Sequence, residues 1–301
     1  MTELQRYLAE EVADDHADGV ITRREAMRRL GLLGVAGSAA AVLLDAGAAR
    51  ASARGRHGVE HGPTTTEWAV VPTEAITFPG PNGTLLGAWA PAARARGGVL
   101  VIHENRGLND HIRSVAGRLA AVGYAAIAID LLSEEGGTDA LPDDAARSAA
   151  LAAAPPERFD ADMKAGVTEL KRRLPRTRLA SIGFCFGGAM VWRLLAAGER
   201  RLAAASPFYG PFPEGGDLSG TKAAVLANYG GLDDRVNATI PAARAAMEAA
   251  RLEHAIVVYG GANHAFFNDT GNNFNPAAMA EAYRRVLDWY DRFVARGHGR
   301  D

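Results

Sequence analysis

The sequence predicts an α/β fold: a mostly parallel sheet with helices on both faces, preceded by an antiparallel hairpin. Two patterns carry this. Short, continuously apolar runs at 98–103, 124–129, 179–183, 202–206, 223–229 and 255–259 alternate with amphipathic stretches at 110–122, 156–174, 186–197, 238–252 and 276–295. Strands with no polar face are buried on both sides, so the amphipathic stretches between them must cover the sheet. Ahead of this alternation, β-type runs at 75–78 and 85–90 flank the turn "PGPNG", which makes them a hairpin, and a further β-type run lies at 68–71. Between the strand ending near Asp130 and the next helix, residues 131–155 read as a partly helical cap beside the sheet edge.

Composition narrows the function. The chain has 301 residues, 48% hydrophobic and 23% charged, with a formal net charge of −2. Such a chain buries an ordinary core and has no basic excess for nucleic acid. A single cysteine, Cys185, excludes an intrachain disulfide and any CxxC pair. No HExxH, Walker or GxGxxG pattern occurs, so neither a metal nor a nucleotide cofactor is expected. No internal repeat is evident, and the sequence sets no oligomeric state.

Residues 1–53 differ from the rest. From 21 to 53 a basic start is followed by an apolar stretch at 30–44 and small residues at Ala49, Ala51 and Ala53, the order of a secretory signal. "TRREAMR" at 22–28 resembles a twin-arginine signal, with Ala26 where such signals usually carry Phe. The expectation is export to the periplasm or outside the cell, with no stable membrane span after the signal is removed. An amphipathic helix packed on the domain and a retained anchor are the alternatives. Without 1–53 the chain holds 27 basic and 27 acidic residues. Residues 54–66, rich in Gly, His and Thr, read as a linker, and 67–301 as one domain.

The lone thiol stands where this architecture does its chemistry. "GFCFGG" at 183–188 joins an apolar strand to a helix, which is the G-x-S-x-G nucleophile elbow with cysteine in place of serine. The elbow holds the nucleophile in a strained turn, and the helix N-terminus favours its thiolate. The alternative for Cys185 is a buried structural thiol. Downstream the order is acid, then histidine. "GLDDRV" places Asp233 and Asp234 past one strand end, and "GANHAFFND" places His264 past the next; His254 starts a strand and suits the role less. Asp233 is preferred to Asp234 as the residue that orients His264. Upstream, "HENRGLN" ends a strand at Glu104, in the loop that supplies an oxyanion donor. Glu104 either pairs with Arg106 as a loop salt bridge or contacts the thiol and controls its ionisation.

These motifs together resemble the dienelactone hydrolase family, carboxymethylenebutenolidase-like members of the α/β-hydrolase fold, over roughly residues 73–294. The resemblance implies Cys185 as nucleophile, His264 as base and acid, Asp233 as its partner, and Glu104 as acceptor of the thiol proton. It also implies an oxyanion hole from the backbone N–H groups of Asn105 and Phe186, and a pocket near Tyr209. Family members acting on dienelactone carry an arginine four residues after the catalytic histidine to hold the substrate carboxylate; Asn268 stands there. A second arginine of that pattern, expected after the strand ending near Asp130, has no assigned position. The expected function is cofactor-independent hydrolysis of a small carboxylic ester or lactone through a cysteine nucleophile. A general or polysaccharide-processing carboxylesterase is the alternative enzyme, and a binder or thiol sensor the alternative outside catalysis.

Overall fold

The computed structural model describes residues 1–35, 37–54 and 68–295. The linker expected over 54–66 lies, beyond Arg54, outside the described residues. Three helices come first: α1 (Glu3–Ala17), α2 (Arg23–Leu32) and α3 (Ser38–Arg54). The hairpin follows as β1 (Glu74–Gly80) and β2 (Gly83–Ala90), paired antiparallel with Phe78 opposite Leu85. The alternation then runs β3 (Gly97–Ile102), α4 (Asp110–Ala121), β4 (Tyr124–Asp130), α5 (Asp144–Ala153), α6 (Pro156–Arg173), β5 (Leu179–Phe184), α7 (Phe186–Ala196), β6 (Leu202–Phe208), β7 (Ala224–Gly230), α8 (Asp234–Asn237), α9 (Ile240–Ala249), β8 (His254–Tyr259) and α10 (Pro276–Phe293).

The eight strands form one sheet in the order β1-β2-β4-β3-β5-β6-β7-β8. From β4 to β8 every neighbouring pair is parallel, and β2 joins β4 antiparallel. Strands β3, β4, β5 and β7 are buried along their whole length, as their continuous apolar sequences require. Residues 131–155 are partly helical as expected, with short 3₁₀ turns at Ser133–Glu135 and Thr138–Ala140 before α5.

One local expectation changes. The run at 68–71 is not a strand. The Val71 N–H donates to the Gly117 carbonyl of α4 at 3.1 Å, and the Trp68 ring packs edge-on against Tyr283, so the segment is tied to helices rather than to a ladder. The helix expected over 238–252 is present as α9, and a separate single turn, α8, precedes it. Asp233 caps α8, which ends after one turn, and a proline in its first turn restarts the chain as α9.

The N-terminal helices pack on the domain. Thr2 and Gln5 form a capping box at the start of α1. Leu4, Tyr7, Leu8, Glu11 and Val12 share one buried stripe at spacings of three and four. Fully burying a side chain such as Leu8 or Val12 is worth about 1.5–3 kcal/mol. Helix α3 lies so close to α1 that a Cβ on Gly47 would sit 2.7 Å from the Ala13 carbonyl oxygen. Arg50 of α3 holds Asp14 of α1 at 2.7 Å, and Arg28 of α2 holds Asp143 at the start of α5 at 2.5 Å. Among the described residues, no helix is long and apolar enough to cross a membrane.

Candidate active site

The C-terminal ends of the parallel strands gather the side chains singled out in the sequence. Glu104 follows β3, Cys185 β5, Tyr209 β6, Asp233 β7 and His264 β8, the edge where sheets of this kind place their chemistry. Cys185 has φ 55° and ψ −118°, a strained conformation for a non-glycine residue, and it caps α7. The strain is held by close packing. A Cβ at Gly183 would collide with the Gly187 carbonyl, and one at Gly187 with the carbonyls of Ile102 and His103. The N–H of Phe186, first residue of α7, belongs to the turn whose N–H groups have no acceptor within the helix. Asn105 lines the same small cavity as Cys185.

Asp233 divides its carboxylate between two tasks. Oδ1 accepts from the Val236 N–H at 3.3 Å, and Oδ2 lies 2.5 Å from Nδ1 of His264. Asp234 is exposed. His254, at the start of β8, turns its Nδ1 to the Leu252 carbonyl. The geometry thus singles out Asp233 and His264. A ring nitrogen of His264 lies within 4.8 Å of the Cys185 sulfur.

Glu104 is buried, and its carboxylate accepts from Asn268 and Tyr209. Asn268 Nδ2 donates to its Oε2 at 2.7 Å, and the Tyr209 hydroxyl to its Oε1 at 3.5 Å. Asn268 is itself oriented, since its Oδ1 accepts from the backbone and hydroxyl of Thr270. Asn268 therefore serves as a ligand of Glu104. Arg106 lies 3.6 Å from Asp144 rather than on Glu104, and Arg147 is turned to Asp144 and the Thr138 carbonyl. Tyr209, with φ 35°, stacks obliquely on His264 with ring centroids 5.0 Å apart.

The chain matches the family model described as "Dienelactone hydrolase family" over residues 86–294. It belongs to the dienelactone hydrolase family. A relative from Escherichia coli O157:H7, named "Putative carboxymethylenebutenolidase", is 32% identical over 211 residues, covering 65% of this chain and 76% of the relative. The crystal structure titled "Putative Dienelactone Hydrolase" from Klebsiella pneumoniae superposes with a TM-score of 0.65 at 27% identity, over 73% of this chain and 98% of that one. Dienelactone hydrolase from Anabaena variabilis, 19% identical, shares the fold with a TM-score of 0.56 over 74% and 98% of the two chains. The protein is thus a hydrolase of this family with an α/β-hydrolase fold, and the family implies a small-molecule substrate. The family match begins at residue 86, beyond α1–α3.

Helix α1 adds what the motifs did not contain. The Tyr7 hydroxyl lies 3.4 Å from the Cys185 sulfur. Glu11 Oε1 lies 3.6 Å from the same sulfur and 3.0 Å from Nε2 of His264. The Glu11–His264 contact is an ion pair by distance, but Nε2 has no hydrogen bond of good geometry. Glu11 Oε2 accepts from Arg235 at 2.5 Å, and the same guanidinium holds Asp14 at 2.9 Å. Glu11, Cys185 and His264 are spaced so that a metal ion could bridge them, although the carboxylate is already matched by Arg235 and His264. Glu11 lies 174 residues before Cys185 in the chain, and no local pattern marks so distant a partner. Arg235 lies within the "GLDDRV" motif, where nothing about its neighbours marks it as an anchor for α1.

These contacts set the protonation. Burial lifts the Cys185 thiol above its usual range, and the Glu11 charge adds to this, outweighing His264. Burial opposes a charge on His264, yet the carboxylates of Glu11 and Asp233 outweigh it and hold the imidazolium well above the usual histidine range. Burial likewise works against the Glu11 carboxylate, but His264 and Arg235 hold it down at about 2. With α1 in place, both shifts favour a neutral thiol beside a protonated imidazole.

Proposed function

We propose that this dienelactone hydrolase-family protein hydrolyses a small carboxylic ester or lactone through Cys185, without a cofactor. The observation that carries the reading is the joint placement of a strained elbow thiol and a histidine anchored 2.5 Å from Asp233. His264, when neutral, takes the thiol proton, and the thiolate attacks the carbonyl carbon. The Asn105 and Phe186 N–H groups stabilise the oxyanion. His264 then protonates the departing alkoxide, which for a lactone stays attached to the acyl group, and a thioester remains. A water deprotonated by His264 cleaves the thioester and restores the thiol. Glu104, with Asn268 and Tyr209 on its oxygens, borders this site, and its charge helps to hold the resting thiol protonated. In this reading, Asn268 in place of the family's arginine disfavours a carboxylated lactone such as dienelactone.

The same proposal places the protein outside the cytoplasm, through the twin-arginine-like segment at 22–28. Arg23 and Arg24 are exposed, as a receptor-read signal requires.

Intact-protein mass spectrometry tests the chemistry. The full chain and its Leu8→Glu variant, whose α1 is loosened, are mixed with an activated aryl ester and with an unsaturated lactone, beside the same proteins carrying Cys185→Ala. An acyl adduct that forms and decays only where Cys185 is present, with accumulating acid, is the expected result. Turnover that survives Cys185→Ala overturns the assignment.

A further inference from the structure

Helix α1 occupies the space a substrate needs. Tyr7 and Glu11 reach the Cys185 sulfur at the sheet edge, and two small cavities border the helix. One, of about 70 Å³, is lined by Leu4 and Tyr7; the other, of about 40 Å³, by Glu11 and Asp15 together with Cys185. A water needs roughly 10–15 Å³ on such a measure, whereas ligand sites run to about 300–1,000 Å³. Neither remnant admits an ester together with its two arms.

The side chains that α1 inserts match the site chemically. A carboxylate is the product of any ester hydrolysis, and the Glu11 carboxylate stands between the thiol sulfur and the Nε2 of His264. Its second oxygen is held by partly buried Arg235, whose guanidinium also lies 4.9 Å from the centre of the Tyr7 ring. The helix is pinned beyond the crevice as well. The Glu214 N–H donates to Glu3 near one end, and Asn263 Nδ2 donates to Asp18 just past the other.

We propose that residues 2–54 are an inhibitory segment, in which α1 fills the substrate crevice and presents Glu11 as a product-like carboxylate, so that the hydrolase is latent until this segment is cut away or displaced. This rests on the reading of Cys185 and His264 as the catalytic pair. The small residues at 49–53, the expected cleavage position of an export signal, lie at the end of α3, which braces α1. A peptidase hydrolysing the chain there would leave α1 held only by non-covalent contacts, and export and activation would become one event.

The test uses the full chain with residues 58–63 replaced by the recognition sequence of a site-specific protease, with and without Leu8→Glu. Two readouts are followed before and after cutting: the rate at which iodoacetamide alkylates Cys185, and the hydrolysis of an activated aryl ester. Alkylation at least tenfold faster after cutting with Leu8→Glu, and faster to a lesser degree after cutting alone, is expected, with hydrolysis rising in parallel. Cutting alone carries the test if Leu8→Glu fails to fold. Alkylation that rises without hydrolysis upholds the inhibitory segment and counts against the hydrolase reading. Equal alkylation rates, within twofold, in the intact and cut folded proteins overturn the proposal, as does full hydrolysis by the intact chain.

Discussion

The Glu11 carboxylate lies 3.0 Å from Nε2 of His264 while Asp233 holds the opposite ring nitrogen at 2.5 Å, so the imidazole is enclosed by two acids from segments 222 residues apart in sequence. A neutral imidazole cannot satisfy both; an imidazolium can. The residue best placed to take the Cys185 proton is therefore kept from doing so by α1.

This arrangement gives the docking of α1 a pH window. Glu11 faces the cations Arg235 and His264, the neutral hydroxyl of Tyr7 and the thiol of Cys185, with Asp15 one turn further along α1. Its carboxylate is held at about 2 in the folded chain, below its ordinary value of about 4.3. Its contribution to docking is therefore complete above about 4.3 and is lost as pH falls towards 2. His264 is displaced upward, so its contribution is complete below about 6.5 and is lost as pH rises through its elevated value. Carbon-13 spectra of the imidazole should show His264 still protonated at pH 7.5 in the natural chain. In Glu11→Gln its titration should move down, because one of the two carboxylates that hold the charge is gone. An unmoved titration would show that Glu11 does not set the charge of His264.

The elbow glycines should tolerate no side chain. In Gly187→Ala the new methyl group meets the carbonyls of Ile102 and His103, which are backbone atoms at the junction of β3 with its loop. Overpacking of this kind costs about 1–3 kcal/mol, occasionally more. Equilibrium urea unfolding should place Gly187→Ala at least about 2 kcal/mol below the natural chain. Gly260→Ala, which meets nothing within 4 Å, should stay within about 0.5 kcal/mol of it.

The sheet and the motif positions were legible in the sequence for one reason: each depended on neighbours close in the chain. The buried strands are continuous apolar runs, and Cys185, Asp233 and His264 sit directly past strand ends, where this architecture places functional groups. Residues 68–71 were misread because β-type composition cannot reveal that Val71 bonds to Gly117 of α4. Glu104 was recognised as present but not as engaged, since its bond to Asn268 spans 164 positions. Export-signal features and a packed helical segment are not mutually exclusive, and Leu4, Tyr7, Leu8 and Glu11 do lie on one helical face. What that face covers depended on Cys185, His264 and Arg235, which no local pattern connects to it.

Asp233 and Asp234 offer an internal control for the proposed catalysis. Asp233→Asn keeps the cap on α8 but replaces the acceptor that faces Nδ1 of His264. An amide there favours the wrong tautomer, and the corresponding change in a serine triad costs about 10⁴ in kcat. With α1 displaced, steady-state ester hydrolysis should fall by about 10³–10⁴ in Asp233→Asn with little change in Tm. Asp234→Asn, at an exposed position, should stay within about twofold. Equal losses in the two variants would remove the reason for assigning the acid to Asp233.

Asn268 should prove to be a residue of the Glu104 environment, and its replacement should be read through Glu104. Asn268→Ala removes the 2.7 Å donor from a buried carboxylate. Leaving such a group short of a partner costs about 1–3 kcal/mol. Asn268→Asp is the sharper change, because it sets a second carboxylate against Glu104 and also turns an acceptor towards it. At pH 7 the two charges repel in a buried site. As pH falls, one of the pair takes up a proton and can donate to the other, so the destabilisation should shrink towards pH 4. Urea unfolding across pH 4–8 should therefore show Asn268→Asp converging on the natural chain at the acid end, while the deficit of Asn268→Ala stays nearly constant. Parallel curves for the two variants would place Glu104 in contact with some other proton source and would make Asn268 a spacer rather than its donor.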